Sequence, residues 1–86
     1  MVRIVLTGGN EGIGYYMTSQ FLKDGHMVAV LDLKLDNLES LKQEYSDELL
    51  LFKSDVSNPQ AINKSIEDTI TVFGGIDYAM RKLHRD

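Results

Sequence analysis

Apolar residues come in short unbroken runs, separated by stretches in which they recur every third or fourth position. The runs are VRIVLT (2–7), MVAVLD (27–32) and LLLFKSD (49–55). Aliphatic runs without alternation suit parallel strands buried on both faces. Between the first two, Ile13, Met17 and Phe21 stand at i, i+4 spacing with Tyr16 beside them. That spacing predicts a helix over 13–24 with one buried stripe, and Gly25 is a natural stop for it. Asp36 and Glu39 form a D-x-x-E start signal, and Leu38, Leu41 and Tyr45 continue a second helix. Ser57 and Gln60 repeat the device as S-x-x-Q, with Pro59 tolerated in the first turn. Ile62, Ile66, Ile70 and Phe73 then line one face of a third helix, which Gly74 and Gly75 end. IDYAM (76–80) opens a fourth strand. Strand alternates with helix throughout, so the expected fold is α/β, a doubly wound parallel sheet or part of one, in a single domain over 1–86.

Composition narrows the function classes. A chain of 86 residues buries only about 60–65% of its unfolded surface, so its stability should be modest. Hydrophobic content of 43% and charged content of 26% are those of a globular protein rather than a disordered one. The net charge is −4 and basic residues are scattered outside the tail RKLHRD, which disfavours nucleic acid as the partner. With no cysteine there is no disulfide, thiolate metal site or cysteine nucleophile. The apolar runs are too short to span a bilayer, and no signal-like pattern separates Met1 from the first strand. The expected location is cytoplasmic.

The stretch TGGNEGIG (7–14) follows the first strand and opens the first helix. A helix N-terminus offers free N–H groups and a partial positive charge. Glycines there let an anion reach the backbone and allow positive φ. A tight turn that binds nothing has the same residues, so the loop alone leaves both readings open. It is not a P-loop, because Tyr15 follows Gly14 where Lys-Ser/Thr is needed. It is not G-x-G-x-x-G either, since position 10 is Asn. Asp32 at the carboxyl end of the second strand adds a second sign of a nucleotide. A carboxylate there can accept hydrogen bonds from a ribose with a free 2′-hydroxyl and would repel a 2′-phosphate. Glu11 in the loop adds to that repulsion. Both favour NAD over NADP.

TGGNEGIG resembles the T-G-x-x-x-G-x-G signature of the short-chain dehydrogenase/reductase family. SDVSN (54–58) resembles that family's Asp-Val after the third strand, and FGGIDYAM (73–80) its lead into the fourth. The resemblance implies a partial Rossmann-like sheet of three to four strands in the order 3-2-1-4, with three helices, two on one face and the third on the other. It implies that Gly8, Gly12, Ile13 and Gly14 line a pyrophosphate, that Asp32 takes the adenosine ribose, and that Asp55 and Val56 lie at the adenine. Asn10 and Glu11 in the loop and Leu33 beside Asp32 complete the candidate set. NAD is the expected cofactor, with ADP or AMP as further ligands.

The match then stops. Where the family continues Asn-Asn-Ala-Gly, this chain reads MRKLHRD, and the family's catalytic Ser and Tyr-x-x-x-Lys have no counterpart by position. Tyr78 and Lys82 have the right spacing, but on a strand they would stand about 13 Å apart, so no catalytic role is expected. His26 and His84 are expected at the surface rather than as ligands, and Met27 and Met80 as core or interface filler. An apolar sheet face covered by one helix predicts a homo-oligomer, joined through that face or an open sheet edge. Three functions stay open: a nucleotide-binding module without its own hydride transfer, an oxidoreductase fragment or subunit whose catalytic residues are supplied elsewhere, and an oligomerisation module with a relic loop.

Overall fold

A computed structural model of the chain describes residues 1–80. The elements run β1 (Arg3–Thr7), α1 (Gly12–Lys23), β2 (Met27–Asp32), α2 (Glu39–Tyr45), β3 (Leu49–Lys53), α3 (Pro59–Phe73) and β4 (Tyr78–Met80). The four strands form one sheet in the order β3-β2-β1-β4. All pairs are parallel, with Leu6 opposite Val30 and Met80, and Val30 opposite Leu51. This is the α/β architecture and strand order expected from the sequence.

Two layers cover the sheet. Leu6, Val28, Val30 and Leu49 point to one face, where Leu22 of α1 and Leu38 and Leu41 of the α2 region seal them. Val5, Ala29 and Leu31 point to the other, beneath Phe73 of α3 with Ile62 at the margin. The central strands β1 and β2 are buried on both faces, which is why their sequences are unbroken apolar runs. The run in β3 is different. Leu49 is buried but Leu50, Leu51 and Phe52 are half-buried, because β3 is an edge strand.

The helices depart from expectation in their faces and caps. In α1, Ile13 is 79% exposed and Tyr16 63%, while Thr18 and Leu22 are the buried residues. The expected stripe through Ile13, Met17 and Phe21 is therefore rotated, because Gly14 and Thr18 bring the helix against the loop and sheet. In α3 the buried line is Ser65, Thr69 and Phe73, and Ile70 is 46% exposed. Small residues let α3 sit close to the sheet and displace the isoleucine stripe to its flank. The hydroxyls bond back into the helix, Ser65 to Ala61 O (3.0 Å) and Thr69 to Ser65 O (2.8 Å). With its proton so committed, Ser65 accepts from the buried Ser54 hydroxyl (2.8 Å).

The D-x-x-E signal caps nothing. Asp36–Leu38 forms a 3-10 turn ahead of α2, with no side-chain cap at either start. The S-x-x-Q signal is displaced by one residue. Asn58 is the N-cap of α3 and accepts from the Gln60 N–H (3.0 Å) with Pro59 following it, while Ser57 bonds to Asp55. Gly25 and Gly74 end α1 and α3 as expected, both at positive φ. His26 is half-buried rather than at the surface. Its Nδ1 accepts the Val2 N–H (3.1 Å) and its ring meets Phe21 edge-on. Met27 and Met80 pack at the margins of the two core layers. Lys82 and His84 lie outside the described residues.

A two-pronged ion pair fixes the entry to β4. Arg3 Nε and Nη2 donate to the Asp77 carboxylate (3.0 and 3.2 Å), and so does the Arg3 main-chain N–H (2.8 Å). These bonds hold the Asp77 carboxyl below its ordinary value of 3.8, the side-chain hydrogen bond from Arg3 contributing most. A carboxyl depressed in the folded state contributes stability above its unfolded value and loses it as pH falls through the folded value. Asp77→Asn should therefore lower the melting temperature at neutral pH. It should also flatten the decline in stability below pH 3.8 relative to wild type, as measured by thermal melts across an acid series.

Candidate functional site

In a parallel sheet all strands end at the same edge, so the loops after β1, β2 and β3 meet there. Main-chain bonds just past the strand ends hold them in register. The Gly8 N–H donates to Leu31 O (3.0 Å) and the Ser54 N–H to Asp32 O (3.1 Å). The candidate residues Gly8, Asn10, Glu11, Gly12, Ile13, Gly14, Asp32, Leu33, Asp55 and Val56 all lie on these segments or on the first turn of α1.

The glycines divide by what surrounds them. At Gly14 a Cβ would overlap the carbonyl oxygen of Gly8, so the first turn of α1 rests directly on the loop backbone. At Gly9 a Cβ would lie 2.6 Å from Val30 Cγ1, in the sheet core. These two glycines serve internal packing. Gly8 and Gly12 have φ of 77° and 59°, the left-handed region that favours glycine. A Cβ at Gly12 would meet nothing within 4 Å; the space there is open. It borders a groove of about 320 Å³ lined by Asn10, Glu11, Gly12, Tyr15 and Asn37.

The helix that starts at this groove carries free donors. Glu11 is its N-cap and makes no side-chain bond to the first turn. The amides of Gly12, Ile13 and Gly14 thus have neither an intrahelical partner nor a capping side chain, beside the positive end of the helix dipole. A phosphate fits this arrangement: open space at Gly12 and donors along the turn, in a groove that Glu11 and Tyr15 border.

Asp32 stands at the end of β2, half-buried. Its Oδ2 accepts the Asn10 N–H (3.2 Å) and its Oδ1 the Lys34 N–H (3.3 Å). Asp55 is exposed after β3, and Ser57 donates both its hydroxyl (2.6 Å) and its N–H (2.9 Å) to Oδ1. Those bonds, the hydroxyl first, hold the Asp55 carboxyl below its ordinary value. Ile13, Leu33 and Val56 expose 79%, 56% and 42% of their surface on three different segments of this one edge. Exposed apolar side chains beside polar loop residues are the kind of surface that borders a flat aromatic ring, although none of the three lines the groove at Gly12.

Asn10 differs from the other candidates, being 1% exposed with its side chain bonded within the protein. Tyr15 and Asn37 also line the groove, and the sequence pattern does not mark them. Tyr15 sits where a P-loop would carry a lysine, and Asn37 sits in an ordinary turn sequence, so neither has a spacing signal. Tyr78 is 61% exposed on the edge strand β4, away from these loops. Among the described residues no group of three or more acidic or histidine side chains is arranged to hold a metal ion. No helix there is long and apolar enough to cross a membrane.

Comparison with known proteins gives a consistent set of matches. A family model described as short chain dehydrogenase matches residues 3–80. The chain is 37% identical over 76 residues to 3beta-hydroxysteroid dehydrogenase 2 of Eggerthella lenta, covering 85% of this chain and 29% of that protein. A 3-ketoacyl-(acyl-carrier-protein) reductase from Brucella melitensis, solved complexed with NADH, superposes with a TM-score of 0.81 at 26% identity, over 91% of this chain and 32% of that one. ElxO, solved with NADP bound, superposes with a TM-score of 0.80 over 95% of this chain and 35% of that one, and at 22% identity the likeness is one of fold alone. The chain thus spans 29–35% of the length of these three proteins.

The two kinds of glycine predict separable effects. Gly14→Ala should cost about 3 kcal/mol of stability, because the methyl group meets backbone that cannot move aside. Gly12→Ala should cost only about 1–2 kcal/mol, for the left-handed backbone alone. Urea unfolding of both variants checks the order, and equal costs would contradict it.

Proposed function

Because this chain belongs to the short-chain dehydrogenase family, we propose that its carboxyl edge binds the adenosine and pyrophosphate part of a nicotinamide–adenine dinucleotide, with NAD preferred over NADP. The observation that carries the reading is an uncapped helix N-terminus with open space at Gly12, beside a carboxylate at the end of the next strand. In this reading the amides of Gly12, Ile13 and Gly14 hold the pyrophosphate, with Gly8 shaping the loop. Asp32 accepts from the ribose hydroxyls, and Leu33, Asp55 and Val56 border the adenine. Glu11 and Asp32 together disfavour a 2′-phosphate. The contacts are all to the adenylate half, so ADP or AMP should bind about as well as NAD.

Hydride transfer is the chemistry a nicotinamide supplies when bound, and the residues assigned here hold the opposite end of the molecule. We therefore read the chain as a nucleotide-binding module without hydride transfer of its own. A second reading is an oxidoreductase whose catalytic residues are supplied elsewhere. It is favoured by the chain's covering only 29% of the Eggerthella dehydrogenase. A relic loop on an oligomerisation module is the outcome if nothing binds. A homo-oligomer belongs to the same proposal: the sheet face expected to lie open is buried beneath α3, but Ile70 and Val72 are 46% and 59% exposed on that helix, and among the described residues β4 is paired on one side only. A cytoplasmic location accompanies it.

Calorimetric titration with NAD, NADP and ADP tests the site. NAD and ADP should bind similarly and NADP more weakly, and Asp32→Ala should narrow the gap. Ligand at 100 times its Kd should raise stability by about 2.7 kcal/mol. Absence of binding at millimolar ligand would contradict the proposal. Sedimentation at micromolar concentration tests assembly: a dimer or larger species is expected, and a lone 9.7 kDa species would contradict it.

A further inference from the structure

The glycine loop and the connection after β2 approach each other through one residue. Asn10 is 1% exposed, and both its main-chain and side-chain polar groups are engaged. Its N–H donates to Asp32 Oδ2 (3.2 Å) and its carbonyl accepts from Asn37 Nδ2 (3.0 Å). Its side-chain Oδ1 accepts the Asn37 N–H (2.9 Å), and its Nδ2 donates to Asp36 Oδ1 (3.1 Å). Each partner lies at the end of β2 or on the segment that leaves it, 22 to 27 residues away in sequence. An amide can do this where a carboxylate or hydroxyl cannot, because it donates and accepts at the same time from two separate atoms.

We propose that Asn10 is a positioning residue that sets the ribose end of the site: it fixes the Asp32 and Asp36 carboxylates and Asn37 against the glycine loop, and so selects a ribose with a free 2′-hydroxyl over one bearing a 2′-phosphate. This rests on the nucleotide reading given above. The buried side chain meets no ligand. Its bonds to Asp36 and to the Asn37 N–H tie the glycine loop to the segment after β2, and in the loop so held the Asn10 main-chain N–H fixes the Asp32 carboxylate. A preorganised acceptor pair binds a hydroxyl without the cost of ordering it. The same fixed pair cannot swing away from a dianion. Without the side-chain bonds the loop is released from the segment after β2 and its main-chain N–H no longer stands fixed against Asp32, so the binding of NAD should weaken while that of NADP stays nearly level.

The test measures NAD and NADP affinity for wild type, Asn10→Ala, Asn37→Ala and the double variant. Asn10→Ala should weaken NAD about tenfold with little change for NADP. Asn37→Ala should act in the same direction and less. The double variant should be no worse than Asn10→Ala, because both substitutions open the same latch. Equal weakening of both nucleotides would overturn the proposal in favour of a plain structural role. Additive effects would overturn it in favour of direct contact by Asn37. If Asn10→Ala does not fold, amide exchange in Asn37→Ala decides: faster exchange at the bonded amide of Asn10 as well as that of position 37 supports the latch, and change confined to position 37 overturns it. A wild type that binds neither nucleotide defeats the nucleotide reading and the selectivity with it, and the exchange result then stands as a statement about the loops alone. A wild type that binds both equally overturns the selectivity while leaving nucleotide binding intact.

Discussion

The first turn of α1 rests on the carbonyl of Gly8, and the rest of the site follows from that contact. A side chain at position 14 would meet the Gly8 oxygen, so the helix can start this close to the sheet only with glycine there. The Thr18 hydroxyl donates to Gly14 O one turn later (2.8 Å), and Leu22 one turn beyond packs into the core. Gly14, Thr18 and Leu22 are thus the inner line of the helix. Its amide end is directed over the carboxyl edge of the sheet as a consequence. The donors of the first turn are free because the helix is held from its side and not by a cap. One packing constraint therefore both anchors the helix and leaves its N-terminus open to a ligand.

The same constraint explains which parts of the fold were legible in the sequence. The strands were, because β1 and β2 are buried on both faces and burial of that kind writes an unbroken apolar run. β2 falls at Met27–Asp32, the bounds its run suggests. The buried faces of the helices were not. In α1 and α3 the surfaces nearest the sheet carry Gly14, Thr18, Ser65 and Thr69, small residues whose hydroxyls, where present, bond to their own helices. A search for apolar periodicity finds Ile13 or Ile70 instead, and both stand exposed. Capping signals failed for a related reason. Asp36 and Ser57 have the side chains of N-caps, but another partner takes each: Asn10 for Asp36, Asp55 for Ser57.

The candidate site was legible as far as it is local. Gly12, Asp32 and Asp55 could be named because each stands at or just past a strand end, where the fold gathers its loops. The link between the loops was not legible. Asn10, Asp36 and Asn37 are ordinary turn residues, and nothing in their spacing marks a buried bridge across 26 or 27 positions. Burial of Asn10 becomes visible only when β1 and β2 are side by side. Family resemblance supplied the strand order and the side of the sheet that each helix covers. It gave no account of why a residue in the middle of the signature is sealed from solvent.

Amide chemical shifts followed by NMR during titration with ADP test the central claim most directly, since they report where the ligand lies as well as whether it binds. The account predicts the largest changes at Gly12, Ile13 and Gly14, with smaller ones at Leu33 and Val56, and little change along α3. Changes absent from the first turn of α1, or centred on α3 or β4, would contradict it.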